Sequence, residues 1–199
     1  MPLSAPAARA PIHTRKVTCE GFRRTDGMWD IEGHITDVKS YPFHTEERGP
    51  MEPGDPIHQM WMRLTVDDQL TVHAVEAVTE HSPYRACPSI TPRFQALVGL
   101  RIGPGWTRAV KDRLGGAQGC THLVELLGPM ATTAFQTVFP ILTREKADKA
   151  KAEGRSVQDR KERPVLLNMC HIFSSDGEVV RKHWPDHYTG DRAADEAAE

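Results

Sequence analysis

Apolar and polar residues alternate along two stretches near the start of the chain. Val17, Cys19 and Gly21 alternate with polar neighbours, and so do Trp29, Ile31, Gly33 and Ile35. Between them stands Arg24-Thr25-Asp26-Gly27. A period of two marks a strand with one buried face, and Asp-Gly between such runs marks a tight turn, so residues 14–38 are predicted to form a β-hairpin. Residues 43–56, with Glu46, Glu47, Arg48, Gly49, Pro50, Pro53, Gly54 and Pro56, read as a loop. Two further strands follow, about 58–66 and 70–78, joined by Asp67-Asp68-Gln69. Met60, Met62, Leu64 and Val66 share one face, and Leu70, Val72 and Ala74 or Val75 continue it as a second antiparallel pair.

Helical spacing takes over afterwards. Ser89-Ile90-Thr91-Pro92 is a helix start, with Phe94, Leu97, Val98 and Leu100 behind it, and Gly103-Pro104-Gly105 is a break. A short amphipathic helix runs from Trp106 to Leu114 and ends at Gly115-Gly116. Gly119-Cys120-Thr121-His122 opens a longer one, whose inner face is Leu123, Leu126, Leu127, Met130, Ala134, Phe135 and Val138. Pro129 lies inside it, where a kink or a break is expected. Residues 143–163 mix both charge signs and read as an exposed insert. Val165 to Phe173 reads as a strand, turned at Asp176-Gly177 into a third hairpin that ends near His183. The expected organisation is one α+β domain over 12–188, an antiparallel sheet of hairpins with helices on one face. A Pro- and Ala-rich arm over 1–11 and an acidic tail over 189–199 flank it.

Composition narrows the function classes. The 199 residues carry 25 Lys and Arg against 27 Asp and Glu, a balance that disfavours electrostatic nucleic-acid binding. Hydrophobic residues make up 39%, enough for a packed core, and no apolar run has the length of a membrane span. Met1-Pro2-Leu3-Ser4 lacks a cationic segment followed by an apolar stretch, so a cytoplasmic protein is expected. There the four cysteines (19, 87, 120 and 170) should be reduced rather than paired.

Thiols and imidazoles are the side chains that hold soft and borderline metals. His58 enters a strand, Cys87 lies between a strand and a helix, and Cys120 with His122 opens a helix, where the N-terminus favours a thiolate. The spacing contains no Cys-x-x-Cys, so any site draws on distant segments. Asp26, Asp30, Glu32 and Asp37 read as turn and surface residues, and His13, His44, His73, His81, His183 and His187 as surface histidines. Cys19 reads as core, and Cys170-His171 is left open because adjacent strand residues face opposite ways. The glycines between 99 and 105 lack the Lys-Ser/Thr of a phosphate loop.

Two resemblances rest on these residues. Asp26-Gly27-x-Trp29-Asp30-x-Glu32-Gly33, His58-x-Met60, Pro83-Tyr84-x-x-Cys87 and Gly119-Cys120-Thr121-His122-Leu123 resemble a bacterial family known only as a domain of unknown function, which implies no activity. Residues 54–138 resemble, at a distance, iron–sulfur scaffold proteins of the NifU/IscU type. Those proteins place one Cys at the entry to a strand, a second before a helix and a third at the start of a later helix. His58, Cys87 and Cys120-Thr121-His122 take these places. With His58 replacing the first Cys, such a site suits zinc better than a cluster of iron and sulfide. The resemblance therefore implies a zinc or iron site, or an iron–sulfur cluster, made by His58, Cys87, Cys120 and His122, with Asp26 or Glu32 as a nearby acid. One alternative is a thiol enzyme or sulfur carrier using Cys120 with His122. Another is a non-catalytic assembly module that binds an unidentified protein or small molecule.

Overall fold

The computed structural model describes residues 3–154 and 163–190. The chain divides into two compact units, 1–143 and 144–199. In the first unit, β1 (His13–Arg23) and β2 (Trp29–Lys39) form the expected hairpin, with Gly27 at φ +86° in its turn. Only glycine adopts that conformation at little cost. β5 (Pro56–Val66) and β6 (Val72–His81) form the second pair. The four strands make one antiparallel sheet in the order β1-β2-β5-β6, so the fold is α+β as expected. Between β2 and β5, the stretch read as a loop carries a short hairpin, β3 (Phe43–Thr45) and β4 (Gly49–Met51). Its strands are too short to show a period of two, which is why the pattern misses them.

One face of the sheet is core and the other is open. Along β2 burial alternates strictly, with Trp29, Ile31, Gly33, Ile35 and Asp37 inward. Met60, Met62 and Leu64 of β5 lie beside them, and Val72 and Val75 of β6 complete the apolar surface. On the open face, Arg63 bridges Glu32 and Glu76, and Trp61 stacks on His34 with ring centroids 3.6 Å apart.

Four helical segments follow, one of them only the 3-10 turn Gly116–Gln118. Cys87–Leu97 winds as 3-10 turns rather than the expected α-helix, because Pro88 and Pro92 cannot donate to it. Phe94 and Leu97 are buried there, while Val98 is exposed. Residues 99–102 then bond back to the strand edge through Gly99 N to Val72 O and Ile102 N to Leu70 O. Helix α1 (Trp106–Leu114) buries Trp106, Val110 and Leu114. Helix α2 (Thr121–Ala152) buries Leu123, Leu126, Leu127, Met130, Ala134 and Val138 against the sheet core. It continues through Pro129 and Pro140, so the break expected at Pro129 does not occur.

Two glycines let α2 lie close to the sheet. A Cβ on Gly33 would stand 2.6 Å from Met130 Sδ, and one on Gly21 would overlap the Thr137 side chain. These contacts set the direction of the helix: residue 137 crosses β1 at 21 and residue 130 crosses β2 at 33. The first turn of α2 therefore reaches the end of the sheet that carries Asp37.

In the second unit, the strand expected over 165–173 is absent. Residues 171–173 form a 3-10 turn, and 178–183 is a short helix, α3 (Glu178–His183), instead of a hairpin strand. Val165, Met169 and Ile172 are exposed, and Asn168 takes φ +61° while its Oδ1 accepts the Ser175 amide. A left-handed residue with a local side-chain bond ends extended structure, and an apolar run without alternation does not specify a strand. The expected charged insert spans the last turns of α2, but 155–162 and the tail beyond 190 lie outside the described residues.

The packing of α2 yields a prediction. Gly33→Ala should destabilise the protein by about 1–3 kcal/mol through overpacking. The cost should fall towards zero in a Met130→Ala background, as read by a urea double-mutant cycle.

Candidate functional site

Three strands each end their inward-facing row with a polar residue. On β1 the row Gly21, Cys19, Val17 continues to Arg15 and His13; on β2 the row ends at Asp37; on β5 the row Leu64, Met62, Met60 continues to His58. Register places Arg15 directly opposite Asp37, and Asp37 directly opposite His58. Both irregularities in the β5 pairings near this end, between Asp37 and Val38 and between Gln59 and Met60, flank the row. Bulges of this kind re-aim side chains at the rim of a sheet.

Asp37 is 1% exposed and is the centre of the cluster. Arg15 forks onto it, Nε donating to Oδ1 and Nη2 to Oδ2, each at 2.8 Å. His13 Nε2 lies 3.1 Å from Oδ1 and His58 Nδ1 lies 3.2 Å from Oδ2. From α2, His122 brings Nε2 to 3.9 Å from Oδ2 and stacks on His58, with ring centroids 3.7 Å apart. Glu125, one turn further along α2, pairs with the remaining arm of Arg15. Cys120 stands just before α2, its carbonyl accepting the Val124 amide, and its Sγ lies 3.9 Å from His122 Nδ1 and 3.9 Å from Met60 Sδ.

Burial and neighbouring charges bias the protonation of these groups. Burial pushes the Asp37 carboxyl up, but the Arg15 hydrogen bonds and charge, helped by His13 and His58, outweigh it and leave it below the usual carboxylate value. Burial pushes His58 down, reinforced by His122, and these effects outweigh the attraction of Asp37. Burial and then the Arg15 charge push His122 down as well. At neutral pH the site is an ionised carboxylate beside two neutral imidazoles, the form in which all three can ligate a metal.

One ligand atom from each of Asp37, His58 and His122 lies within 4.8 Å of the others, and this is the one such group of His, Cys, Asp or Glu among the described residues. Cys120 adjoins it through His122. Cys87 opens the 3-10 segment and is not part of the group; it follows β6, whose last residue His81 pairs with Gln59. The acid at the site is Asp37, not the expected Asp26 or Glu32. Asp26 pairs with Arg24 in the hairpin turn and Glu32 with Arg63 on the open face. Asp37 is thus not a surface residue, whereas His13 is exposed as expected and bonds to it from the surface.

The fold and this cluster define an α+β protein with two histidines and an aspartate gathered where a helix start meets a sheet end. The chain belongs to the family DUF2889, proteins of unknown function, which it matches over residues 13–136. That span begins at His13 and includes every residue of the cluster. No curated protein and no solved structure matches the chain. No helix among the described residues is long and apolar enough to cross a membrane.

The protonation states give a pH dependence. His58 and His122 titrate lower in the native state than in the unfolded chain, so the unfolded chain binds more protons as pH falls. Asp37 is shifted down too, and its contribution is present above the unfolded carboxylate value and lost below it. For chelator-treated protein, urea-unfolding free energy should fall through about pH 6.5 and fall again below about pH 4. Arg15→Met should flatten the second fall and cost about 3 kcal/mol at neutral pH, by leaving a buried carboxylate without its fork. A stability profile level between pH 8 and 5 would contradict the assignment of neutral histidines.

Proposed function

We propose that this protein binds a metal ion, zinc or iron, through Asp37, His58 and His122. The observation that carries this reading is the convergence of two neutral imidazoles and one ionised carboxylate, drawn from two strands and a helix, at mutual ligand-atom separations within 4.8 Å. Two histidines and a carboxylate suit zinc or ferrous iron and leave coordination positions open for water or a substrate. The Arg15 fork supports it as well, since a metal-ligating carboxylate is commonly held in orientation by a second partner. An iron–sulfur site of the NifU type would in addition recruit Cys120 and Cys87. Cys120 beside His122 favours that extension.

Metal analysis of untagged protein purified without chelator, together with its visible spectrum, tests the reading. The expected result is about one zinc or iron per chain, lost in Asp37→Asn and His122→Ala. Absorption from sulfide-to-iron charge transfer would select the cluster. Protein that is isolated metal-free and takes up neither zinc nor ferrous iron would overturn the proposal.

A second reading is carried by the 3.9 Å approach of Cys120 Sγ to His122 Nδ1, with His122 Nε2 facing Asp37. In it Cys120 is a nucleophile or sulfur carrier and His122 takes its proton. Alkylation kinetics distinguish the two. Fast modification of metal-free protein, slowed at least about tenfold by His122→Ala, supports the thiol reading. Protection that is lifted only by chelator supports the metal.

A further inference from the structure

His122 has two nitrogens, and they face different chemistry. Nε2 points to the Asp37 carboxylate, whereas Nδ1 points to sulfur. On that side Cys120 Sγ lies 3.9 Å from Nδ1 and 3.9 Å from Met60 Sδ. Met60 is 1% exposed and sits in an apolar strand row, where any aliphatic residue would fill space. Here a thioether meets a thiol instead. Across β6 its register partner is Thr79, whose buried hydroxyl has no hydrogen-bond partner among the described residues.

We propose that Cys120, Met60 and the Nδ1 side of His122 form a soft-donor site for a monovalent ion, Cu(I). Thiolate and thioether sulfur favour this ion over zinc, magnesium or calcium, and a neutral imidazole completes a three-coordinate set. The spacing fits. Donors about 2.3 Å from a shared ion and spread at about 120° lie roughly 4 Å apart, and Cys120 Sγ lies 3.9 Å from each of the other two donors. On binding, the ion displaces the Sγ proton to solvent. With Cys120 as thiolate, the net charge of ion plus ligands is zero, which suits a site whose floor is the hydrophobic core. Cys120 and His122 are half-buried at the start of α2, so the ion reaches the site from that side. The site uses sulfur and Nδ1 rather than the carboxylate, so it differs from the Asp37, His58 and His122 site proposed above in every donor but the shared imidazole.

Anaerobic titration of Cu(I) against a chromophoric chelator, with the full chain and no added zinc, tests the proposal. One Cu(I) per chain is expected, with affinity lowered at least about tenfold in Met60→Leu and more in Cys120→Ser. Met60→Leu conserves volume, and circular dichroism checks its fold. Its zinc uptake should match the parent protein, which separates failure of this site from failure of the Asp37 site. X-ray absorption on the unmutated Cu(I) form should show two sulfurs and one nitrogen. Unchanged Cu(I) affinity in folded Met60→Leu, or a copper shell with a single sulfur, would overturn the proposal.

Discussion

An ionised carboxylate buried in the sheet is the constraint around which this end of the molecule is arranged. Left alone, Asp37 would cost several kcal/mol in desolvation. Arg15 meets both of its oxygens, His13 and His58 add hydrogen bonds, and Glu125 holds the far arm of Arg15. The same compensation recruits the chemistry. A site that must satisfy one negative charge draws imidazoles towards it, and burial then keeps those imidazoles neutral.

The helix approach connects packing to that cluster. Gly33 and Gly21 let α2 run close along the inner face, so its first turn lands on the row Arg15–Asp37–His58. His122 and Glu125 come from one turn of the helix and address opposite partners, Asp37 and Arg15. The position of His122 and Glu125 is therefore set by core contacts more than one helical turn away. Rigid elements hold functional geometry better than loops do.

Much of this was legible in the residues. The Asp26-Gly27 turn and the period-two rows define both long hairpins, and the glycine, thiol and imidazole before Leu123 mark the start of α2. Asp37 reads from the sequence as a surface acid and Arg15 carries no signal, although the alternation contains both: each is the next position on the same face as Ile35 and Val17. A charge at that place reads as the end of a strand, whereas its partner on the neighbouring strand makes burial tolerable. Pairing of that kind is non-local and does not appear in one strand's pattern. As a donor in the proposed sulfur site Met60 is hidden for the opposite reason, since a methionine in an apolar row is explained by packing alone. Around 165–173 the apolar run misled, because strands need an edge to bond to and Asn168 turns the chain first.

The cross-strand alignment of this polar row has a consequence for how the chain reaches its native arrangement. If β5 slid by one residue past β2, Ile57 or Gln59 would replace His58 opposite Asp37, and Trp61 and Arg63 would rotate into the core. Slippage of β1 would present Lys16 or Thr14, neither of which can form the guanidinium fork. Misaligned sheets are thus penalised by charge as well as by hydrophobicity, and the residues that serve the mature protein also proofread its assembly.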